Sequence, residues 1–224
     1  MKAAVLFKTK QNLKVVDIDL PSELKHGQVL VKLSYSGICG SQINEIDGRK
    51  GRDKFLPHLL GHEGSGIVKK IGPNVKTIAP GDKVILHWKP GIGIESEPPK
   101  YSYKGKIINA GKITTFNEMA VVSENRVTKI PNKTNMKTAT LLGCSVSTGF
   151  GIINNDAKVR IGESVLVFGL GALGLSIGLG ASLVSSTPII GVDKFKKKLH
   201  YSKKCGFTHA LHSNDLDFEK KIKK

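Results

Sequence analysis

The run Gly169-Leu170-Gly171-Ala172-Leu173-Gly174 constrains the fold more than any other stretch. Alone, a G-x-G-x-x-G pattern is a weak signal, because glycines recur in many tight turns. Here it follows "ESVLVFG", a continuously apolar segment of the kind buried on both faces of a parallel sheet. It opens "GLGALGLSIGLGASLV", which reads as a turn entering a helix. "PIIGVD" follows as a second buried strand ending in Asp193. "KFKKKLHYSKKCG" then reads as a basic helix closed by Gly206, and "THALHS" as the start of a third strand. This is a βαβαβ half-unit, and in that setting the glycine run reads as a dinucleotide-binding turn. Gly169 makes the turn, Gly171 lets a pyrophosphate approach the backbone, and Gly174 lets helix and strand pack closely. The helix N-terminus offers free N–H groups and the positive end of its dipole. Asp193 would accept hydrogen bonds from both ribose hydroxyls and repel a 2′-phosphate, which favours NAD over NADP. Lys194, Lys196, Lys197 and Lys198 soften that preference. The expected cofactor contacts in this half are Gly169, Gly171, Leu173, Gly174, Asp193 and Lys198.

This reading also disposes of an alternative. Residues 164–192 carry no charge and are long enough to suggest a membrane span, but glycines and an internal turn divide them into strand, turn, helix and strand. The N-terminus lacks the apolar core and cleavage site of a signal peptide and reads as two short strands joined by a polar turn. Residues 1–150 are β-rich throughout: short apolar runs such as Val29–Leu33, Gly66–Ile71 and Lys83–Leu86 are bounded by the turn signals "HG", "GPN" and "PGD". The Pro/Gly-rich segment from His87 to Gly111 reads as a surface loop or lobe. A boundary near residue 150 thus separates a β-rich domain, 1–150, from a partial dinucleotide-binding domain, 151–224.

The formal net charge of +17 raises the question of nucleic acid. Yet the only arginines are Arg49, Arg52, Arg126 and Arg160, and the lysines are scattered, with clusters only near Lys194–Lys198 and at the tail. Most of this charge reads as a solvated face, with neither nucleic acid nor membrane as partner. Three cysteines, Cys39, Cys144 and Cys205, are too few and too far apart for a disulfide framework, so a reducing cytoplasm is the expected location.

Cys39 lies in "YSGICGSQINEIDG", His62 in "LLGHEGSG" and Cys144 in "LLGCSVSTGFG". Singly, each has an ordinary structural reading. Together, upstream of the βαβαβ half, they resemble the zinc-dependent medium-chain alcohol dehydrogenases, along nearly the whole chain from Ala3 to about Phe218. "CSVSTGFG…VLVFGLGALGL…IIGVD" is most similar to the class III and animal-type branch. The resemblance implies an α/β protein: a β-rich GroES-like catalytic domain followed by the first half of a doubly wound Rossmann domain. It implies that Cys39, His62 and Cys144 hold one catalytic Zn2+ with a fourth position open. NAD is the implied cofactor, a small alcohol or aldehyde the substrate, and the complete form a homo-oligomer. Ser41 matches the hydroxyl that relays the proton, Thr148 a residue against the nicotinamide, and Glu63 a carboxylate behind the zinc. Gly61 and Gly64 would then let backbone pass close to the metal. Arg49, Lys50, Arg52 and Lys54 lie where the family places part of the substrate rim, and favour anionic alcohols.

This chain departs from the family pattern at several points. Gln42 stands where an acidic residue supports the zinc-bound histidine, and Asn44 stands where a histidine relays the proton. "KPGIGIESEPPKYSYKG" replaces the cysteines of a structural zinc lobe, so a single zinc is expected. The sequence stops at "DFEKKIKK", just past the third strand, without a nicotinamide half. The expectation is an incomplete alcohol oxidoreductase, a fragment or a truncated product, without sustained turnover as given. Two alternatives stand beside it: a zinc-free quinone-reductase relative and a non-catalytic dinucleotide-binding protein.

Overall fold

The computed structural model describes residues 1–215 and Lys220. Phe218, where the resemblance was expected to end, lies outside the described residues, as does the rest of the terminal basic run. The chain forms two compact units, Met1–Cys144 and Ser145–Lys224.

The first unit contains β1 (Lys2–Leu6), β2 (Lys14–Asp17), β3 (Gln28–Ser36), α1 (Gly40–Ile46), β4 (His58–Leu59), β5 (Glu63–Ile71) and β6 (Lys83–His87). It continues through β7 (Tyr101–Tyr103), β8 (Lys106–Ile108), β9 (Met119–Ser123), β10 (Val127–Lys129) and α2 (Met136–Ala139). Its main sheet is antiparallel, in the order β10-β6-β5-β3-β9. Alternation decides which way each strand faces. Val29 and Val31 of β3 are fully buried and join Val68, Val84, Leu86, Ala120 and Val122 in one core. The register sets Val31 opposite both Val68 and Ala120, so the apolar positions of three strands meet on one face. A second, three-stranded sheet, β2-β1-β4, closes over another core built on Val5, Leu59, Tyr101 and Ile108.

Tyr101 and Ile108 mark a difference from the sequence expectation. The segment expected as a surface loop contains a hairpin, β7 paired antiparallel with β8. Tyr101 is 1 % exposed and its hydroxyl accepts the Val121 N–H at 2.9 Å. Burial pushes the phenol up to about 12. The hairpin is thus pinned into the core from its first residue.

The second unit contains α3 (Ser145–Gly151), β11 (Val165–Phe168), α4 (Ala172–Leu183), β12 (Ile189–Asp193), α5 (Lys196–Ser202) and β13 (His209–His212). Its sheet is parallel in the order β11-β12-β13, the expected βαβαβ half. The α4 sequence is apolar nearly all round, and residue size chooses the buried side. Gly174, Ser176, Gly178, Gly180 and Ala181 face inward, while Leu173, Leu179 and Leu183 are exposed. A Cβ on Gly178 would come within 2.0 Å of the Phe207 ring, so the small residues let ring and helix backbone meet. Among the described residues no helix is long and apolar enough to cross a membrane.

Candidate metal centre and dinucleotide turn

Three separate segments of the first unit bring Cys39, His62 and Cys144 together. Cys39 is the N-cap of α1, His62 sits between β4 and β5, and Cys144 follows the helical turn Thr140–Gly143. One donor atom from each lies within 4.8 Å of the others, and all three residues are half-buried. Zinc bond lengths of about 2.3 Å to sulfur and 2.0 Å to nitrogen require donors roughly 3.5–3.8 Å apart in a tetrahedral site. The residues therefore fit a zinc ion after a contraction that side-chain rotation supplies. Burial, then the charge of Lys50, push the His62 pKa down, which favours the neutral imidazole that a metal needs.

Gln42 links two of the three. It is 2 % exposed, its Oε1 accepts the Cys39 N–H at 2.8 Å, and its Nε2 lies 3.3 Å from His62 Nδ1. The Cys39 side chain in turn accepts from the Gln42 N–H, so the two residues cap α1 reciprocally. The neutral amide therefore reaches His62 by a long contact, on a side chain that helix capping already holds.

Glu63 is not a member of the three-residue donor group but is 1 % exposed beside it. It fills space left by two glycines. A Cβ on Gly37 would come 2.3 Å from Glu63 Oε1, and one on Gly143 would come 2.9 Å from Glu63 Cβ. The glycines flanking His62 and Glu63 serve a different neighbour from the expected metal. At Gly61, with φ +93°, a Cβ would lie 2.3 Å from Thr115 Oγ1; at Gly64 it would lie 3.0 Å from Thr115 Cγ2. Close packing of the Thr115 segment favours glycine at both positions. Ser41 is half-buried in the first turn of α1, and Asn44 is exposed on the same helix.

A cavity of about 520 Å³ opens beside His62, with Gln42, Glu45, His58, Glu97 and Lys112 in its walls. Of the four cations expected at the substrate rim, none lines this cavity, and two are ion-paired: Arg49 lies 3.3 Å from Asp47, and Lys50 lies 2.9 Å from Glu45. The sequence reading passed over Glu45, Asp53 and His58, which form a second group of metal-capable side chains. Their spacing matches no familiar ligand pattern, so only the fold assembles them.

In the second unit the glycine turn joins β11 to α4. A Cβ on Gly174 would lie 1.9 Å from the Gly169 carbonyl oxygen, so only glycine permits this approach. Gly171 is the N-cap of α4, and nothing lies within 4 Å of where its Cβ would be. Asp193 ends β12 and is 5 % exposed. Its Oδ2 accepts the Leu170 N–H and its Oδ1 the Phe195 N–H, both at 2.8 Å. Burial pushes its pKa up, but these N–H groups and Lys198 outweigh burial and leave it lowered. Lys198 Nζ lies 3.5 Å from Asp193 Oδ2 and 5.1 Å from the centre of the Phe195 ring. Leu173 is 41 % exposed in the first turn of α4, and Thr148 is half-buried on α3.

Residues 25–132 match the alcohol dehydrogenase GroES-like domain. The S-(hydroxymethyl)glutathione dehydrogenase of Escherichia coli O6:H1 is 33% identical over 241 aligned positions, which cover 96% of this chain and 65% of that protein. An alcohol dehydrogenase zinc-binding domain protein from Burkholderia ambifaria superposes with a TM-score of 0.87 at 27% identity, over 99% of this chain and 66% of that one. A benzyl alcohol dehydrogenase from Acinetobacter calcoaceticus superposes with a TM-score of 0.84 at 27% identity, over 99% and 66%. The chain thus spans about 65% of the length of the curated relative it matches.

Proposed function

Because the chain belongs to the zinc-type medium-chain alcohol dehydrogenase family, we propose that it serves an oxidoreductase interconverting a small alcohol and its aldehyde or ketone. The observation that carries this reading is the convergence of two thiols and an imidazole from three distant segments. Zinc in such a site supplies Lewis acidity that lets a bound alcohol lose its proton near neutral pH, and NAD supplies the hydride acceptor. Cys39, His62 and Cys144 hold the metal. Gln42 fixes Cys39 through the helix cap and leans on the His62 ring. Ser41 would take the alcohol proton, and Asn44, which cannot titrate, would not carry it further. Glu63 supplies negative charge behind the ligands from its glycine-lined niche.

In the second unit the N–H groups around Gly171 receive the pyrophosphate, with Gly169 and Gly174 shaping the turn and Leu173 beside it. Thr148 would lie against the nicotinamide. Asp193 accepts from the adenosine ribose and sets the preference for NAD, which Lys198 moderates. The relatives' names make a thiol-linked or aromatic alcohol a reasonable first substrate.

The test is metal analysis of the wild type and of Cys144→Ala, followed by NAD reduction with neutral and anionic alcohols at low and high salt. We expect about one thiolate-bound zinc per chain in the wild type and little in the variant. A salt-sensitive gain for anionic alcohols would trace to Arg52 and Lys54. Full zinc in the variant would remove Cys144 from the centre, and a wild type without zinc would favour the quinone-reductase reading.

A further inference from the structure

The group that sequence reading passed over sits in the wall of the same cavity. His58, whose side chain is 8 % exposed, directs Nε2 at two carboxylates: Asp53 Oδ2 at 2.8 Å and Glu45 Oε1 at 3.7 Å. Asp53 is also largely buried, with 11 % of its side chain exposed, and Glu45 is partly open at 30 %. One donor atom from each of the three lies within 4.8 Å of the others. The decisive feature is on the far side of the ring. His58 Nδ1 lies 3.0 Å from the Leu59 carbonyl oxygen, which can only accept. That contact places a proton on Nδ1 and leaves Nε2 to face the carboxylates. Nε2 meets Asp53 Oδ2 at hydrogen-bond distance, a place that either a proton or a metal ion fills, and a metal would draw in Glu45 as well.

The geometry points to a second divalent-cation site formed by His58 Nε2, Asp53 and Glu45, separate from the thiolate centre. Bonds of about 2.0–2.2 Å to nitrogen and oxygen place donors roughly 3.0–3.5 Å apart, the range that 2.8 and 3.7 Å bracket. A ligand imidazole whose other N–H donates to a backbone carbonyl is the arrangement that fixes tautomer and ring orientation in metal sites. One imidazole and two carboxylates, without sulfur, suit a first-row divalent ion that accepts nitrogen and oxygen, and the two negative charges match its two positive ones. Glu45 and His58 both line the cavity, so remaining coordination positions open toward it. Lys50 competes for the site from outside. Its ammonium lies 2.9 Å from Glu45 Oε2 and is about half exposed, while Oε1 is the oxygen turned to His58.

Cobalt(II) reads both sites in one titration. Bound to thiolate it absorbs by sulfur-to-metal charge transfer; on nitrogen and oxygen it does not. The wild type should take up two cobalt ions, one with charge transfer and one without. Asp53→Asn combined with Glu45→Gln should take up one, with charge transfer unchanged, which also shows the variant folded. Lys50→Ala, at a half-exposed position, should tighten the second cobalt about two- to fivefold by removing the competing ammonium. A single cobalt in the wild type overturns the proposal. So does a second ion unaffected by the carboxylate changes, or an affinity that Lys50→Ala leaves unaltered. Absence of charge transfer alone would instead sink the thiolate centre and leave the second site standing.

Discussion

Asp193 shows how one residue can carry a binding preference and a structural duty together. Its carboxylate is occupied on both oxygens by backbone N–H groups, one from the glycine turn at Leu170 and one from Phe195 at the start of α5. Oδ1 keeps a second lone pair for a ribose hydroxyl, while Lys198 also approaches Oδ2. Asp193→Ala therefore does more than delete a ribose contact, because it strands the Leu170 N–H in a buried place. The expected cost is roughly 1–3 kcal/mol in the stability of the second unit, beside a narrowed gap between NAD and NADP. Asp193→Asn keeps one acceptor oxygen and should recover part of the stability but little of the discrimination. Thermal melting and NADH and NADPH titration of both variants separate the two duties. Equal melting temperatures for wild type and Asp193→Ala would show that the turn does not depend on this residue. The sequence announced Asp193 by its place at the end of the second strand. That its oxygens already hold the turn was invisible, because Leu170 and Phe195 contribute only backbone N–H groups.

At the scale of elements, periodic segments were legible and the lobe between β6 and β9 was not. The short apolar run Val29–Leu33, bounded by turn signals, announces a strand, and the unbroken apolarity of Val165–Phe168 announces a strand of a parallel sheet. The hairpin at Tyr101–Ile108 has two strands of three residues each and polar flanks, so no period develops. What anchors the lobe is a set of partners about thirty residues apart. Glu95 accepts from Asn125, lies 2.9 Å from Lys112 and pairs with the buried Arg126, which also donates to the Trp88 carbonyl. Asn125, Lys112 and Arg126 together hold the Glu95 carboxyl down at about 2, from 4.5. A carboxyl with a depressed folded pKa adds stability that is complete above its unfolded value near 4.5. That stability is lost as pH falls toward 2. Glu95→Gln should therefore melt at a lower temperature than wild type at pH 6, and the two should converge by about pH 2. A constant gap across that range would show that the network does not hold the lobe through charge.

At the scale of the whole molecule, the metal centre is a closure. Its donors come from the N-cap of α1, from the link between β4 and β5, and from the last residue of the first unit. An ion bound to all three joins segments that an unfolded chain holds far apart, so it stabilises the folded unit by mass action. With free zinc at about 100 times its dissociation constant, the gain is about 2.7 kcal/mol. Trp88 is the sole tryptophan of the chain, and its backbone N–H donates to the carbonyl of Gly143, beside Cys144. Its fluorescence therefore follows the unfolding of this part of the first unit. The Trp88 transition should rise by several degrees with zinc and fall back with a chelator. Once Asp53→Asn and Glu45→Gln have removed the second site, Cys144→Ala should abolish the rise. Cys205→Ala should keep it, since Cys205 belongs to the second unit and burial pushes its thiol pKa up, away from the thiolate a metal needs. A zinc-dependent rise that survives Cys144→Ala in that carboxylate-free background, or disappears with Cys205→Ala, would place the stabilising ion elsewhere in the molecule.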